Sequence, residues 1–490
     1  MTDEALKIRL GQRLSVGFEG TVLPKEYVDL VKEYKVGNAV LFRRNVQSYA
    51  QLKALCAQLR DVIQSETGHV PFIMIDEECG SVSRLAHIAA PTPCAMAIGA
   101  TDDARNAYRI GRLVGEELGA AGINFNFGPV LDCFTNPDNA VIGNRCFSTS
   151  PEKTAAMGVA YMKGLQETGV IACGKHFPGH GDTATDSHLA LPIVEKSMDE
   201  MRKTELVSFT AAIREGLDAI MTAHVVFPAL EPDRVPATVS RRVMTGLLRE
   251  EMGFEGIIVS DGMEMKAVMD LFGIEEASRR ALAAGVDIAL VCHSPAQGAS
   301  ISRYLRAAVE KGDFSLDEAE SHYQRIARRK ALLPAPTGDP ARFGSEVQRA
   351  LARKIMNQSI RLLHAPQDRP LPQLNEDTLF FGVPARASSF ANDDIPLDGP
   401  ALCAAAFGAK SAGVSPNAAA PTAVALLSRH EDLPALQAAV TRMANSGTQV
   451  IAVSLSTSRC LDALPDSVWK IGAWQYDELS LNALIQFLKG

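Results

Sequence analysis

The chain has 490 residues, of which 47% are hydrophobic and 22% are charged, and its formal net charge at pH 7 is −8. These values are ordinary for a folded globular protein and argue against an intrinsically disordered chain. The acidic balance argues against nucleic-acid binding, which requires a basic surface, so we expect no nucleic-acid partner. The length predicts two or three domains, one of which could be a large α/β barrel.

The nine cysteines are an odd number, and none forms a C-x-x-C pair. This spacing argues against a disulfide framework or a zinc ribbon and favours a reducing compartment. The first residues, MTDEALKIRLGQRL, lack the basic and apolar regions of a secretory signal. No apolar run reaches about 18 residues, the length that a membrane-spanning helix needs. We therefore expect a cytoplasmic protein with no membrane partner.

Eight short apolar runs occupy the first two thirds of the chain, and each ends in polar or glycine-containing residues. Such runs are typical of strands buried on both faces of a parallel sheet. They cover residues 15–18, 38–42, 72–76, 123–129, 170–176, 219–224, 257–261 and 288–293. Segments with apolar residues three or four apart, such as 108–121 and 201–215, predict helices between them. This alternation predicts a (β/α)8 TIM-type barrel over residues 1–332.

Polar side chains stand at the ends of the predicted strands. Barrels of this type carry their active sites at the C-terminal ends of the strands. Charged groups are costly at the end of an apolar strand, so we expect a function for some of them. They are Arg43, Asp76, Asp132, Lys175, His176, His224, Asp261 and His293.

The chain changes character after the barrel. Residues 333–344 read LPAPTGDPARFG, which is rich in Pro and Gly and predicts a linker. Helices and strands are predicted beyond it at residues 345–363, 378–383, 422–427, 434–443 and 449–455. They predict a smaller α/β sandwich domain over residues 345–490.

A loop rich in titratable side chains follows the fifth predicted strand. Residues 175–188 read KHFPGHGDTATDSH, and the density of Pro and Gly predicts a loop. Asp186 and His188 would share a face of an extended loop, where a carboxylate orients an imidazole and favours its charged form. The pair is a candidate proton donor near neutral pH. The alternatives are a purely structural loop and a metal site formed by His176, His180 and His188.

Asp261 ends the apolar run in IIVSDGMEM and is followed by Gly262. It could cap the next predicted helix, at residues 263–271, or project into the mouth of the barrel. A carboxylate in the mouth, opposite an acid such as His188, is the arrangement of a retaining glycosidase.

A third group of polar side chains is a candidate binding site for a sugar. Asp76 and Arg84 in FIMIDEECGSVSRL predict a fork for hydroxyl groups at one end of the ring, and Arg145 would add a donor of fixed geometry. The alternative is a surface loop with ordinary charges.

Five motifs follow one another along the chain: D-E-x-x-G-x-V-x-R-L, G-I-N-F-x-x-x-P-V-L-D, G-N-R-x-F, K-H-F-P-G-H-G-D-T-x-x-D-S-H and S-D-x-M-x-M-K-A. In this order they resemble glycoside hydrolase family 3, and more narrowly its β-N-acetylglucosaminidase branch. The match covers residues 10–330, and the remainder resembles the smaller domain of two-domain members. The resemblance implies a carbohydrate substrate, an N-acetylglucosaminide such as a muropeptide-like sugar of peptidoglycan recycling.

The resemblance also implies roles for individual residues. Asp261 corresponds to the nucleophile, and His188, paired with Asp186, corresponds to the acid/base. The remaining matched positions bind the sugar; they are Asp76, Arg84, Arg145, Lys175 and His176. The chain departs from the family pattern at Cys79–Ser81, where two glycines and an arginine are usual, and at Gly262, where an acidic residue is usual.

Several rival activities are compatible with parts of this set. A neutral His188 would not repel phosphate, so phosphorolysis at the same site, or another family 3 β-glycosidase activity, is an alternative. A lyase or aldolase with a Schiff base on Lys175 is a second alternative, but it would leave Asp261 without a role. A non-catalytic sugar-binding barrel is a third, and binding alone would not require Asp261. We expect no metal and no organic cofactor; the aglycone and the oligomeric state stay open at this point.

Overall fold

A computed structural model of the chain describes residues 2–139, 141–184, 191–335, 339–385, 397–416, 420–429 and 431–490. Eight parallel strands close into a barrel in which each strand pairs with its neighbours along the chain and the last pairs with the first. They are β1 (Leu14–Val16), β2 (Asn38–Leu41), β3 (Phe72–Ile75), β4 (Phe125–Asn126), β5 (Ile171–Phe177), β6 (Ala219–Thr222), β7 (Ile257–Gly262) and β8 (Ile288–Val291). The predicted barrel is confirmed, and each predicted run overlaps one strand.

The strands bury both of their faces. Val40, Phe72 and Met74 belong to an apolar cluster inside the barrel, whereas Ala39 and Ile73 pack in the layer between strands and helices. Successive strand residues point to opposite faces, so an uninterrupted apolar run supplies both clusters. The C-terminal strand ends are left to carry polar groups.

Helices surround the barrel. They are α1 (Asp3–Gly11), α2 (Lys25–Tyr34), α3 (Tyr49–Thr67), α4 (Ala95–Ala100), α5 (Ala104–Ala121), α6 (Pro151–Gln166), α7 (Met198–Lys203), α8 (Glu205–Arg214), α9 (Lys266–Phe272), α10 (Ile274–Ala284), α11 (Pro295–Lys311) and α12 (Leu316–Ala331), with a π-helix at Arg242–Glu251. Short 3-10 turns lie at Arg43–Asn45, Gly143–Arg145 and Ala237–Val239. A hairpin that pairs Glu77–Cys79 with Val82–Ser83 follows β3 directly.

The single helix predicted at residues 201–215 is divided in the structure. Thr204 leaves helical geometry, with φ −127° and ψ −85°, and its hydroxyl donates to the Glu200 carbonyl at 2.8 Å. The next residue, Glu205, turns its buried carboxylate to Lys196 at 2.5 Å. This ion pair is a tertiary contact, so apolar periodicity does not reveal it.

The remainder of the chain forms a six-stranded, mostly parallel sheet in the order β9-β14-β13-β12-β10-β11. Its strands are β9 (Arg361–His364), β10 (Leu379–Gly382), β11 (Lys410–Ala412), β12 (Thr422–Leu427), β13 (Gln449–Ser454) and β14 (Trp469–Gly472). Its helices are α13 (Glu346–Ser359), α14 (Gly399–Ala406), α15 (Leu433–Asn445) and α16 (Glu478–Lys489), with 3-10 turns at Pro366–Asp368 and Ser458–Leu461. The second α/β domain is confirmed.

This sheet has an apolar cluster on each face. Val424 and Leu426 of β12 face one cluster, whereas Ala423, Ala425 and Leu427 face the other. Sequence analysis missed β9, β11 and β14, because β9 and β11 are half-exposed edge strands and Lys470 interrupts the apolar residues of β14. The predicted linker at residues 333–344 lies between α12 and α13, and its bounds stay a proposal. No helix in the described part of the chain is both long and apolar enough to cross a membrane.

Candidate active site

The end of β3 and the following hairpin bring two carboxylates and two cations into contact. The Lys175 ammonium lies 2.6 Å from Asp76 Oδ1 and 2.5 Å from Glu78 Oε1. Arg145 donates from Nε and Nη2 to the two carboxylate oxygens of Glu78, at 2.7 and 2.8 Å. Glu78 therefore holds both cations in place, although sequence analysis gave it no role.

Most of this cluster is buried. Burial alone would lower the pKa of Lys175, but the carboxylates of Asp76 and Glu78 raise it above its ordinary value. The ammonium therefore stays charged at neutral pH, and two of its three N–H donors are directed at carboxylates. Asp76 keeps 18% of its side chain exposed, and Arg84 Nη2 lies 3.9 Å from its Oδ2. Asp76 is the most exposed member of this cluster.

Asp132 organises the loop that follows β5. It is fully buried, and its Oδ2 lies 2.7 Å from His176 Nδ1. Its two oxygens also accept the backbone N–H groups of His176, at 3.1 Å, and of His180, at 2.6 Å. A Cβ at Gly181 would lie 1.7 Å from the Cys133 carbonyl oxygen, so only glycine allows the loop to approach this closely. Asp132 thus fixes the backbone between His176 and His180.

Asp261 lies at the end of β7 with a half-buried side chain. Its Oδ1 accepts the N–H of Gly262 at 2.7 Å. The next helix begins at Lys266, and the residue at its N-cap position is Met265, whose side chain makes no capping bond. The alternative that Asp261 caps this helix is therefore wrong, and its carboxylate belongs to the strand end.

Asp261 and Asp76 share the mouth of the barrel. Burial raises the pKa of the Cys292 thiol well above its ordinary value, and the charges of Glu264, Asp261 and Asp76 raise it further. The pKa of a thiol at the end of β8 is thus raised by carboxylates that follow β3 and β7, which lie on either side of it around the barrel. The predicted nucleophile and the predicted sugar-binding residue thus lie at the same end of the barrel.

His224 is a residue of this site to which sequence analysis gave no role. It is fully buried; its Nε2 lies 2.9 Å from the Gly262 carbonyl oxygen, and its Nδ1 lies 2.8 Å from the Thr238 hydroxyl. Because a carbonyl only accepts, Nε2 carries the proton. The imidazole therefore holds the carbonyl of Gly262, the residue that follows Asp261.

The two remaining predicted catalytic residues, Asp186 and His188, lie outside the described residues. The chain on either side of them is joined by an ion pair. Lys196 Nζ lies 3.2 Å from Asp182 Oδ1 and 2.5 Å from Glu205 Oε1. Residues that precede and follow the predicted acid/base pair are thus linked to each other and to α8.

The buried His180 imidazole makes stability depend on pH. Burial, with a smaller contribution from nearby His176, lowers the pKa of His180 to about 4. Its contribution to stability is fully present above about pH 6.5, where the imidazole of the unfolded chain is also neutral. Between about pH 6.5 and 4 only the unfolded chain binds this proton, so the free energy of unfolding falls by about 3 kcal/mol.

His180→Gln is expected to remove this decrease. The quantity to measure is the free energy of unfolding in urea, near neutral pH and near pH 4, for the parent chain and the variant. His87→Gln, at an exposed position, is the matched control and should leave the pH dependence as it is. An unchanged pH dependence in His180→Gln would contradict this prediction.

Comparisons with known proteins identify relatives of this chain. The family model described as glycosyl hydrolase family 3 N terminal domain matches residues 6–329. A beta-hexosaminidase A from Pseudoalteromonas piscicida is 36% identical over 364 residues, which is 68% of this chain. The chain spans 61% of the length of that relative.

Two solved structures resemble the fold. A glycoside hydrolase family 3 beta-N-acetylglucosaminidase from Paenibacillus sp. strain FPU-7 superposes with a TM-score of 0.89 at 33% identity, over 99% of this chain and 96% of the other. NagZ from Neisseria gonorrhoeae, in complex with N-trifluoroacetyl-D-glucosamine, superposes with a TM-score of 0.60 at 31% identity, over 71% of this chain and 97% of the other. The first of these covers both domains.

Proposed function

This chain belongs to glycoside hydrolase family 3, and from that premise we propose that it is a retaining exo-β-N-acetylglucosaminidase. Asp261 forms the covalent glycosyl intermediate, and His188 with Asp186 forms the acid/base dyad. Asp76, Arg84, Arg145, Lys175 and His176 form the sugar-binding set. The observation that supports the proposal is the half-buried Asp261 carboxylate at the end of β7, at the same end of the barrel as Asp76, which follows β3.

The first chemical step breaks the glycosidic bond. A carboxylate oxygen of Asp261 bonds to the anomeric carbon as the bond to the aglycone oxygen breaks. That oxygen takes the proton of the His188 imidazolium, so the aglycone leaves as a neutral alcohol and His188 becomes neutral. The carboxylate of Asp186 favours the charged imidazolium before this step.

The second step releases the sugar. Neutral His188 takes a proton from water, the water oxygen bonds to the anomeric carbon, and the bond to Asp261 breaks. Two displacements at one carbon retain its configuration. Asp261 and the imidazolium of His188 are both restored for the next turnover.

The proposed substrate follows from the relatives and from the site. One relative reported above is a beta-hexosaminidase, another is a beta-N-acetylglucosaminidase, and a third was solved with N-trifluoroacetyl-D-glucosamine. We therefore assign N-acetylglucosaminides, such as those derived from peptidoglycan. We also propose a cytoplasmic location, because all nine cysteines are free thiols and eight of them are buried.

A chromogenic assay tests this function. Release of p-nitrophenol from the β-N-acetylglucosaminide is expected to exceed release from the β-glucoside by about 10²-fold or more, because an N-acetyl contact is available to one substrate alone. Equal rates on the two substrates would contradict the proposed sugar specificity.

The same assay separates hydrolysis from the phosphorolysis alternative. With inorganic phosphate present, the proposal expects free N-acetylglucosamine of retained configuration as the product, identified by NMR. Accumulation of the sugar 1-phosphate would replace the hydrolase proposal with a phosphorylase. No turnover of either glycoside, by a folded protein, would favour a sugar-binding barrel.

A further inference from the structure

The second domain packs against the same barrel segment that carries Arg145. Phe134, Val141 and Ile142 of the barrel share one apolar cluster with Val424 and Leu426 of β12. These barrel residues lie between the second domain and the loop after β5. The second domain therefore contacts the barrel segment that adjoins the loop after β5.

Arg429 reaches this segment from the end of β12. Its guanidinium donates to the carbonyl oxygens of Asn139 and Asp138, the second at 2.5 Å. An arginine stays charged throughout the pH range in which proteins fold, so both bonds are charge-assisted and stronger than neutral ones. Arg429 thus holds two successive peptides of the barrel from outside.

Asn139 extends this contact inward. It is fully buried, and its amide nitrogen donates to the His180 carbonyl at 2.7 Å and to the Thr183 hydroxyl at 3.1 Å. Its amide oxygen accepts the N–H groups of Val141 at 3.0 Å and Ile142 at 2.7 Å. With every hydrogen-bonding atom of the amide engaged, its orientation is determined.

Arg429, Asn139 and the pair His180–Thr183 therefore form one continuous set of hydrogen bonds between the two domains. Thr183 is three residues before Asp186 in the chain. We propose that Arg429 is a positioning residue for proton donation, which it supports through Asn139 and the residues that lead to Asp186 and His188. This inference rests on the proposed acid/base role of that pair.

The physical reason is the accuracy that proton transfer demands. A catalytic group has to be held within about 0.5 Å of its working position by its supporting residues. Without Arg429, the carbonyls of Asp138 and Asn139 lose their charged donor, so the backbone that carries the Asn139 side chain is held less firmly against His180 and Thr183. Arg145 of the sugar-binding cluster also donates to the Val141 carbonyl, at 2.9 Å, but the cluster has further bonds to Glu78 and Asp76 that do not involve this segment.

The test compares two N-acetylglucosaminides that differ in their need for an acid. Arg429→Ala is expected to lower kcat/KM by about 10- to 100-fold on an alkyl glycoside, and by less than about threefold on a dinitrophenyl glycoside, whose leaving group needs no proton. Arg429→Lys, which keeps the charge, should lose less. Arg442→Ala, at an exposed position of the same domain, is the matched control and should match the parent chain on both substrates.

Equal losses on the two substrates, or no loss on either, would overturn the role of Arg429. If Arg429→Ala does not fold, Thr183→Val tests the same set of hydrogen bonds from the barrel side, because it removes the hydroxyl that contacts Asn139 and His180. Equal losses of kcat/KM on the two glycosides in Thr183→Val would also contradict the proposal.

His188→Ala, assayed in parallel, separates the two proposals. A leaving-group dependence in His188→Ala without one in Arg429→Ala rejects the inference alone. The absence of that dependence in His188→Ala rejects the acid/base assignment, and the inference with it.

Discussion

Asp261→Ala and Asp261→Asn are expected to lower kcat by about 10³-fold or more, because a covalent nucleophile is lost. The loss should appear on good and poor leaving groups alike, since both substrates need the carboxylate to stabilise the anomeric carbon. Steady-state kinetics on the two glycosides, together with unfolding temperatures, would establish it. Glu264→Gln is the matched control, because Glu264 also contributes a negative charge near Cys292 but has no assigned role. Its kcat should fall by less than about tenfold.

Two chemical experiments identify the nucleophile directly. A slow 2-fluoro substrate should form a stable adduct that a peptide digest locates on Asp261. Azide added to Asp261→Ala should enter the space left by the carboxylate and give the α-glycosyl azide, through a single displacement. An adduct on another carboxylate would overturn the assignment of Asp261.

His188→Ala is expected to produce the second large effect, which should depend on the leaving group. Loss of the acid should reduce kcat/KM on an alkyl glycoside by about 10³-fold, within the range that positioned proton transfer contributes. On a dinitrophenyl glycoside the first step needs no proton, so the loss should be far smaller. Asp186→Asn should show the same pattern more mildly, because the imidazole stays while its orientation and basicity are lost.

Azide distinguishes this variant from the nucleophile variant. In His188→Ala the glycosyl intermediate on Asp261 still forms, and azide attacks it from the opposite face, giving the β-glycosyl azide. If both residues have only a structural role in the loop, their variants should lose kcat/KM equally on every substrate and should unfold at a lower temperature. Equal losses on the alkyl and dinitrophenyl glycosides would therefore exclude His188 as the acid/base.

Much of the fold follows from local patterns. Uninterrupted apolar runs predicted eight strands buried on both faces, and the barrel confirms them: each two successive barrel strands are joined by a segment that contains a helix. The motifs also predicted the family, which the matched relatives confirm. The helix break at Thr204 and the strands β9, β11 and β14 were not predicted. The break accompanies a tertiary ion pair, β9 and β11 are exposed edge strands, and Lys470 interrupts the apolar residues of β14.

The sequence by itself determined which residues end the strands, and therefore that Asp76, Lys175 and Asp261 stand at the mouth of the barrel. Only the tertiary structure decided which groups contact each other there. Glu78 joins Lys175 to Arg145, although these residues are far apart along the chain.

The same holds for Arg429 and Asn139, which are separated by 290 residues. Periodicity reports which face of an element is buried, over a few neighbouring residues. Such pairs depend instead on closure of the barrel and docking of the second domain. Local pattern carries no information about either event, so the supporting contacts of the site could be assigned only from the folded chain.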